Sequence, residues 1–208
     1  MHTNSLKTLR SDLLEQRKHF VTEAGYQNAQ NGLLMNLRSV INDPTRQIQS
    51  IALFWPIQAE IDLRPTLLAW AAEAPNRQLC LPLARSDKHL DFYAWQTGDT
   101  LITSKFGVPQ PDPHNIQRAK VQPDCILLPV VGWSVFDRES KSRYYRLGYG
   151  GGYFDRTLAQ LRPAKPNLLC IGIGFDWQKL DGAQWEAQAH DEPLNIMLTE
   201  SGVLSSFA

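Results

Sequence analysis

Cys125-Ile126-Leu127-Leu128-Pro129-Val130 carries no charge and no polar group, and its reading decides the fold. A short continuous apolar run of this kind reads as a central strand, covered on both faces. Working outward, Ile51-Ala52-Leu53-Phe54-Trp55, residues 79–83, residues 168–173 and Ile196-Met197-Leu198 have the same character, and Leu90–Trp95 alternates as a further strand. Helical periodicity fills the spaces between them. Leu6, Leu9, Leu13 and Leu14 form one stripe over residues 5–20, with Lys7, Arg10, Arg17 and Lys18 on the other faces. Tyr26, Ala29, Leu33, Leu34, Leu37, Val40 and Ile41 repeat the period until Asn42-Asp43-Pro44 stops it. A third helix opens at Asp62 and Pro65, and a fourth carries Phe154, Leu158 and Leu161 up to Pro163. Residues 107–113, with prolines at 109, 111 and 113, read as a rigid extended loop. Short apolar strands alternating with amphipathic helices predict an α/β chain: a single domain over residues 1–208, with a mostly parallel sheet flanked by helices on both faces. Ligands bind beyond the carboxyl ends of such strands, here residues 55–60, 131–155 and 175–191.

Bulk composition narrows the function. Hydrophobic residues make up 43% of the 208, enough for a sizeable core. Lys plus Arg (21) and Asp plus Glu (21) cancel to zero, so no basic field exists to draw nucleic acid. No apolar run approaches the roughly 18 residues that a membrane span requires. Residues 1–7 lack the apolar core of a secretory signal, so a cytoplasmic chain is expected. Cys80, Cys125 and Cys170 cannot all pair, each lies in an apolar run, and no C-x-x-C occurs; reduced, buried thiols are expected.

The chemistry concentrates in Arg146-Leu147-Gly148-Tyr149-Gly150-Gly151-Gly152-Tyr153-Phe154-Asp155-Arg156-Thr157. Four glycines within five positions let a ligand approach the backbone, and a helix N-terminus follows with its unpaired N–H groups. That combination suits a phosphate, and Asp155 suits the Mg²⁺ that accompanies one. Such a cluster also serves as a plain connection between elements. It is neither a P-loop, since no G-x-x-x-x-G-K-[ST] is present, nor a dinucleotide fingerprint, since no apolar strand leads into it. Arg143, Arg146 and Arg156 flank it and favour an anion.

Two other segments carry candidates. Trp55 ends an apolar strand and Glu60 follows five residues on, a pair able to stack on and hydrogen-bond a flat heteroaromatic ligand; core packing of the indole and a solvated acid is the alternative. His190-Asp191-Glu192 offers a metal ligand or general acid, or only a polar turn before Pro193. Asp137 and Asp155 bracket the glycine loop as a further pair of carboxylates.

Taken together, the motif from Arg146 to Arg156 resembles the R-L-G-x-G-x-G-Y-Y-D-R signature of the 5-formyltetrahydrofolate cyclo-ligase family, also called methenyltetrahydrofolate synthetases. Supporting pieces run in order along nearly the whole chain: Leu9-Arg10, Trp55 to Asp62, Phe106-Gly107-Val108, Asp124 to Asp137, and His190-Asp191. The resemblance implies conversion of 5-formyltetrahydrofolate to 5,10-methenyltetrahydrofolate with ATP and Mg²⁺, giving ADP and phosphate. It implies that Lys7, Arg10, Arg146, Leu147, Gly148, Tyr149, Gly150, Gly151, Gly152, Tyr153 and Phe154 cradle the nucleotide. Arg146 and Tyr153 would be catalytic, Trp55, Glu60 and Tyr153 would contact the folate, and Asp155 and Asp191 would hold Mg²⁺. The partner is a small molecule, with no nucleic acid or membrane, and a monomer is expected. Three positions depart from the family pattern. Leu6 stands where a lysine is usual, with Lys7 beside it; Phe154 replaces the second tyrosine; and residues 137–145 are longer than the usual turn. A folate-sequestering binder and a phosphotransferase with another acceptor are the rival readings.

Overall fold

The computed structural model describes residues 2–114, 118–138 and 141–206, with side chains in the first helix from Leu6 onward. In chain order the elements are α1 (His2–Phe20), α2 (Tyr26–Ile41), β1 (Ser50–Ala52), α3 (Arg64–Ala72), β2 (Gln78–Ala84), β3 (Leu90–Trp95), β4 (Leu101–Thr103), β5 (Pro109–Pro111), β6 (Cys125–Pro129), β7 (Gly132–Arg138), β8 (Lys141–Leu147), α4 (Tyr153–Leu161), β9 (Leu169–Ile173), β10 (Ile196–Leu198) and β11 (Val203–Ser205). Seven strands form one sheet in the order β11-β10-β9-β6-β1-β2-β3. The inner five are parallel, and antiparallel β3 and β11 close the two edges.

Side chains alternate across this sheet with period two, and each face has its own helices. Ile51, Leu79, Leu81, Cys125, Leu127, Ile171, Ile173, Ile196 and Leu198 pack with Leu33, Leu37, Val40 and Ile41 of α2 and Leu67 and Trp70 of α3. Ala52, Cys80, Ile126, Leu128, Cys170 and Met197 pack on the other face with Leu158 of α4. Each fully buried Leu or Ile contributes about 1.5–3 kcal/mol, which outweighs the small propensity differences along these helices. The Trp70 indole also donates to the Ile41 carbonyl at 3.2 Å, joining α3 to α2.

Parallel strands have no tight turn to set their register, so other contacts must do it. Asp124, just before β6, accepts from the Gln49 and Ser50 amides and the Ser50 hydroxyl on the β1 side, and from Lys165 on the approach to β9. This locks the amino ends of three strands together. At the opposite end α1 lies across the sheet, with Leu13 packed among Val131, Leu147, Leu180 and Trp185.

Two hairpins were not foreseen in the sequence reading. Part of the proline-rich stretch 107–113 is strand β5, paired antiparallel with β4. Residues 132–138 and 141–147 pair antiparallel as the long β7–β8 arm, so extra residues before the glycine loop lengthen a two-stranded arm. Among the described residues no helix is long and apolar enough to cross a membrane.

Candidate active site

A cavity of about 650 Å³ opens at the carboxyl end of the sheet. The glycine loop forms one wall, the turn after β1 another, and the tip of the β4–β5 hairpin a third; Gln188, His190 and Asp191 stand on the rim.

The glycine loop begins where β8 ends. Gly150 (φ +92°) and Gly152 (φ +69°) both occupy the left-handed region that L side chains resist. At Gly148 the constraint is space, because a Cβ there would collide with Arg146 Nη1. The loop runs into the N-terminus of α4, where Gly152 supplies no side-chain cap and the first-turn N–H groups stay available to a ligand. Arg146 is delivered by β8, and its side chain is only 5% exposed. Its Nη2 donates to Asp155 Oδ2 at 2.8 Å, while its buried Nε has no hydrogen-bond partner among the described residues. Burial draws its pKa below the ordinary arginine value, and Asp155 and Asp191 pull it back up. A buried cation with an unused donor on a cavity wall is a binding group for an anion.

From α1, Arg10 Nε donates to the Gly148 carbonyl at 2.8 Å and so braces the loop from behind. Lys7 is exposed and off the cavity wall, where Leu6 stands instead. Neighbouring helix positions face different directions, so Lys7 does not take over the place of Leu6. Phe154 lies beneath the Arg146 guanidinium at 5.1 Å. Tyr153 meets the ring of Phe106 edge-on at 5.4 Å, and Phe106 is the half-exposed tip of the β4–β5 hairpin.

The turn after β1 holds Glu60 by its own backbone. The Glu60 amide donates to the Ile57 carbonyl at 2.9 Å, and the Ile57 amide donates to Glu60 Oε2 at 3.0 Å. Between them Gln58 (φ +48°) and Ala59 (φ +62°) are both left-handed without being glycine, at a cost on the order of 1–2 kcal/mol each. Glu60 Oε1 accepts from the Tyr149 hydroxyl at 2.6 Å and lies 3.4 Å from Arg17 Nη1. Burial raises the Glu60 carboxyl pKa above the ordinary range, against the opposing effect of Tyr149, the Ile57 amide and Arg17. Burial and the charge of Glu60 push the Tyr149 phenol up in turn. Trp55 is half-buried, with Arg64 stacked 4.2 Å above its ring and Trp95 edge-on at 5.9 Å.

The His190-Asp191-Glu192 triplet divides three ways. The His190 side chain is 75% exposed, with Nε2 at 3.9 Å from Asp191 Oδ1. Asp191 lines the cavity and accepts from the Gln188 amide at 2.8 Å. Glu192 pairs with Arg162 on α4. Among the described residues no group of three or more His, Cys, Asp or Glu side chains is assembled to hold a metal by itself. The side chain of Asp137 lies outside the described residues.

Thus Arg10, Trp55, Glu60, the whole run from Arg146 to Asp155, and Asp191 share one cavity. The sequence reading missed Arg17, which is 2% exposed rather than on a solvated face. The available signal was its spacing: Arg17 follows Arg10 by seven residues and the buried Leu13 by four, on one helix face. It also missed Phe106 as part of the cavity wall.

Residues 2–200 match the model of the 5-formyltetrahydrofolate cyclo-ligase family. A protein named 5-formyltetrahydrofolate cyclo-ligase from Mycoplasma pneumoniae is 42% identical over 147 residues, 70% of this chain and 72% of that protein. One of the same name from Mycolicibacterium smegmatis is 28% identical, covering 96% of this chain and 95% of its own length. The NMR structure of Aquifex aeolicus 5,10-methenyltetrahydrofolate synthetase shares the fold with a TM-score of 0.68 at 23% identity, over 96% of this chain and 92% of that one. The 5,10-methenyltetrahydrofolate synthetase from Mycoplasma pneumoniae does so with a TM-score of 0.63 at 22% identity, over 94% and 98%. With a family match that spans almost its full length, the chain belongs to the 5-formyltetrahydrofolate cyclo-ligase family.

Proposed function

We propose that this chain converts 5-formyltetrahydrofolate to 5,10-methenyltetrahydrofolate in a reaction that depends on Mg²⁺ and consumes ATP, releasing ADP and phosphate. One observation carries the proposal. A single cavity is lined both by the glycine loop with its buried Arg146 and by the Trp55–Glu60 turn. An anion site and an aromatic-plus-carboxylate site therefore share a common space.

In this reading the N-formyl oxygen is a poor leaving group until it is phosphorylated; N10 then closes on the formyl carbon and phosphate departs. The chain contributes position and charge more than covalent chemistry. Gly148 to Gly152 and the α4 N-terminus receive phosphate oxygens, and Arg146 neutralises charge on the group in transit. Arg10 keeps the loop in place through the Gly148 carbonyl. Trp55 and Glu60 hold the folate. Tyr153 closes the space between the two ligands, with Phe106 against its edge. The donor set fits Mg²⁺ travelling with a nucleotide: two carboxylates, Asp155 at the start of α4 and Asp191 on the rim, line the same cavity and would hold the ion together with phosphate oxygens and water. Bound there, Mg²⁺ would supply charge neutralisation on the phosphates.

The working unit in this reading is one domain over residues 1–208, acting as a cytoplasmic monomer. The test is the absorbance band of methenyltetrahydrofolate in a mixture of protein, 5-formyltetrahydrofolate, ATP and Mg²⁺. A rise that needs both ATP and Mg²⁺ is expected. No rise with both ligands bound by calorimetry would favour a sequestering binder; no rise and no folate binding would point to another acceptor.

A further inference from the structure

We propose that Arg17 is a positioning residue for the folate: from outside the cavity it keeps Glu60 anionic and aimed inward. The inference rests on the reading of Glu60 as the folate-binding carboxylate and assigns the group that makes it one.

The geometry is specific. Arg17 is absent from the cavity wall, so it does not touch a ligand there. Its side chain is 3% exposed and that of Glu60 is 6% exposed, and the two lie 3.4 Å apart. Arg17 Nη1 donates to the Tyr149 hydroxyl at 3.0 Å, and that hydroxyl donates onward to Glu60 Oε1 at 2.6 Å. Arg17 Nη2 donates to the Val130 carbonyl at 2.9 Å, which ties the guanidinium to the end of β6. The groups facing Glu60 are thus Arg17 from α1, Tyr149 from the glycine loop and the Ile57 amide of its own turn. Of these, Arg17 alone brings a positive charge.

That charge matters because of what Glu60 must do. The aminopyrimidone edge of a pterin presents two N–H donors side by side, which an ionised carboxylate accepts together. A protonated carboxyl offers an O–H in place of one acceptor and loses the match. Burial already favours the neutral acid at position 60, so removing the cation shifts the balance further toward that neutral form. Raising the pH ionises the acid again and restores the match. The fold has a reserve at this point: the Val130 carbonyl also accepts from Gln178 Nε2 at 3.0 Å, so losing Arg17 does not orphan it.

The test is calorimetric binding of 5-formyltetrahydrofolate and, separately, of a non-hydrolysable ATP analogue to the wild type, Arg17→Met, Arg17→Lys and Glu60→Gln, between about pH 6 and pH 9. For Arg17→Met a weaker folate affinity than that of the wild type is expected at neutral pH, with the gap closing toward the alkaline end. Arg17→Lys, which keeps the charge, is expected to recover most of the loss, and Glu60→Gln to be weak and flat with pH. Nucleotide affinity is expected to change little in any of them. An Arg17→Met profile parallel to the wild type, or folate and nucleotide affinities falling together, would overturn the assignment. Circular dichroism checks the fold; if Arg17→Met does not fold, Arg17→Gln replaces it, and failure of both would make Arg17 a purely structural residue and overturn the proposal. A wild type that binds no 5-formyltetrahydrofolate would sink the proposed function and Arg17's part with it. A wild type that binds it, beside an unshifted Arg17→Met profile, would sink the Arg17 assignment alone.

Discussion

Asp155 is both a cavity carboxylate and the counter-ion of a buried arginine, so its removal has two effects. Asp155→Ala would leave the Arg146 guanidinium without the oxygen it now reaches at 2.8 Å. Breaking a buried pair from one side costs about 3–5 kcal/mol, here moderated by the nearby charge of Asp191. Asp155→Ala is therefore expected to abolish turnover and to lower stability as well. Asp155→Asn keeps an acceptor for Arg146, so it is expected to lose turnover with a smaller stability loss. Urea denaturation beside the activity assay separates the two effects, and wild-type activity in either variant would remove Asp155 from the metal role. Glu60 gives a pH prediction whose sign can be worked out. Its folded pKa is raised, so between the ordinary glutamate value and the raised one the folded chain binds a proton that the unfolded chain has released. Stability in that window falls as pH rises. The stability of the wild type relative to Glu60→Gln is expected to decline from acid toward neutral pH, and a flat or rising difference would contradict the burial seen here. At Gly150, a Cβ at φ +92° is expected to cost about 1–2 kcal/mol by the same denaturation measurement, from backbone strain.

At the level of elements, the sequence was most readable where one periodic signal acts alone. β10 matches its expected limits and β6 is only one residue shorter, because strands buried on both faces leave an unbroken apolar run; edge strand β3 also matches, from its alternation. β1 is shorter than its run, since the ladder ends at Ala52 and one further bond, from the Leu53 amide to Cys80, leads into the cavity wall. The β7–β8 hairpin was hidden for the opposite reason. It stands outside the main sheet, so Trp133 and Leu147 are buried while Phe136 and Arg143 face solvent, and its charges read as an insertion. In the site, the glycine loop, Arg146, Trp55 and Glu60 were legible because each has a local signal. Arg17 was not, because an arginine on a helix looks the same in sequence whether its partner is water or a buried glutamate brought in from another element. The β4–β5 hairpin adds a testable part. Phe106 is 53% exposed yet lies against Tyr153, so it contributes little to the core and more to the closure of the cavity. Phe106→Ala is expected to weaken ligand binding about 3–10-fold, in line with an aromatic pair worth about 0.5–1.5 kcal/mol, with little change in melting temperature. A large drop in melting temperature without loss of affinity would make it a packing residue.

Across the whole molecule, helix α1 is the element with the most to do at the site and the fewest local means of holding itself in place. Arg10 and Arg17 reach the glycine loop, the Glu60 turn and the end of β6 from it, while its buried Leu13 packs against Val131, Leu147, Leu180 and Trp185. The parallel strands are secured from both faces, whereas α1 covers one end. Its amides are expected to exchange with solvent earlier than those of β6, and bound nucleotide with folate is expected to narrow that gap; hydrogen exchange followed by mass spectrometry reads both. The same arrangement has a consequence for how the chain is made. Synthesis runs from the amino end, so α1 is made well before the buried residues that cover its apolar stripe, which arrive only between 131 and 185. Until those residues follow, the cell carries an uncovered amphipathic helix of positive charge, and the strands and turns from 131 onward decide when it is put away.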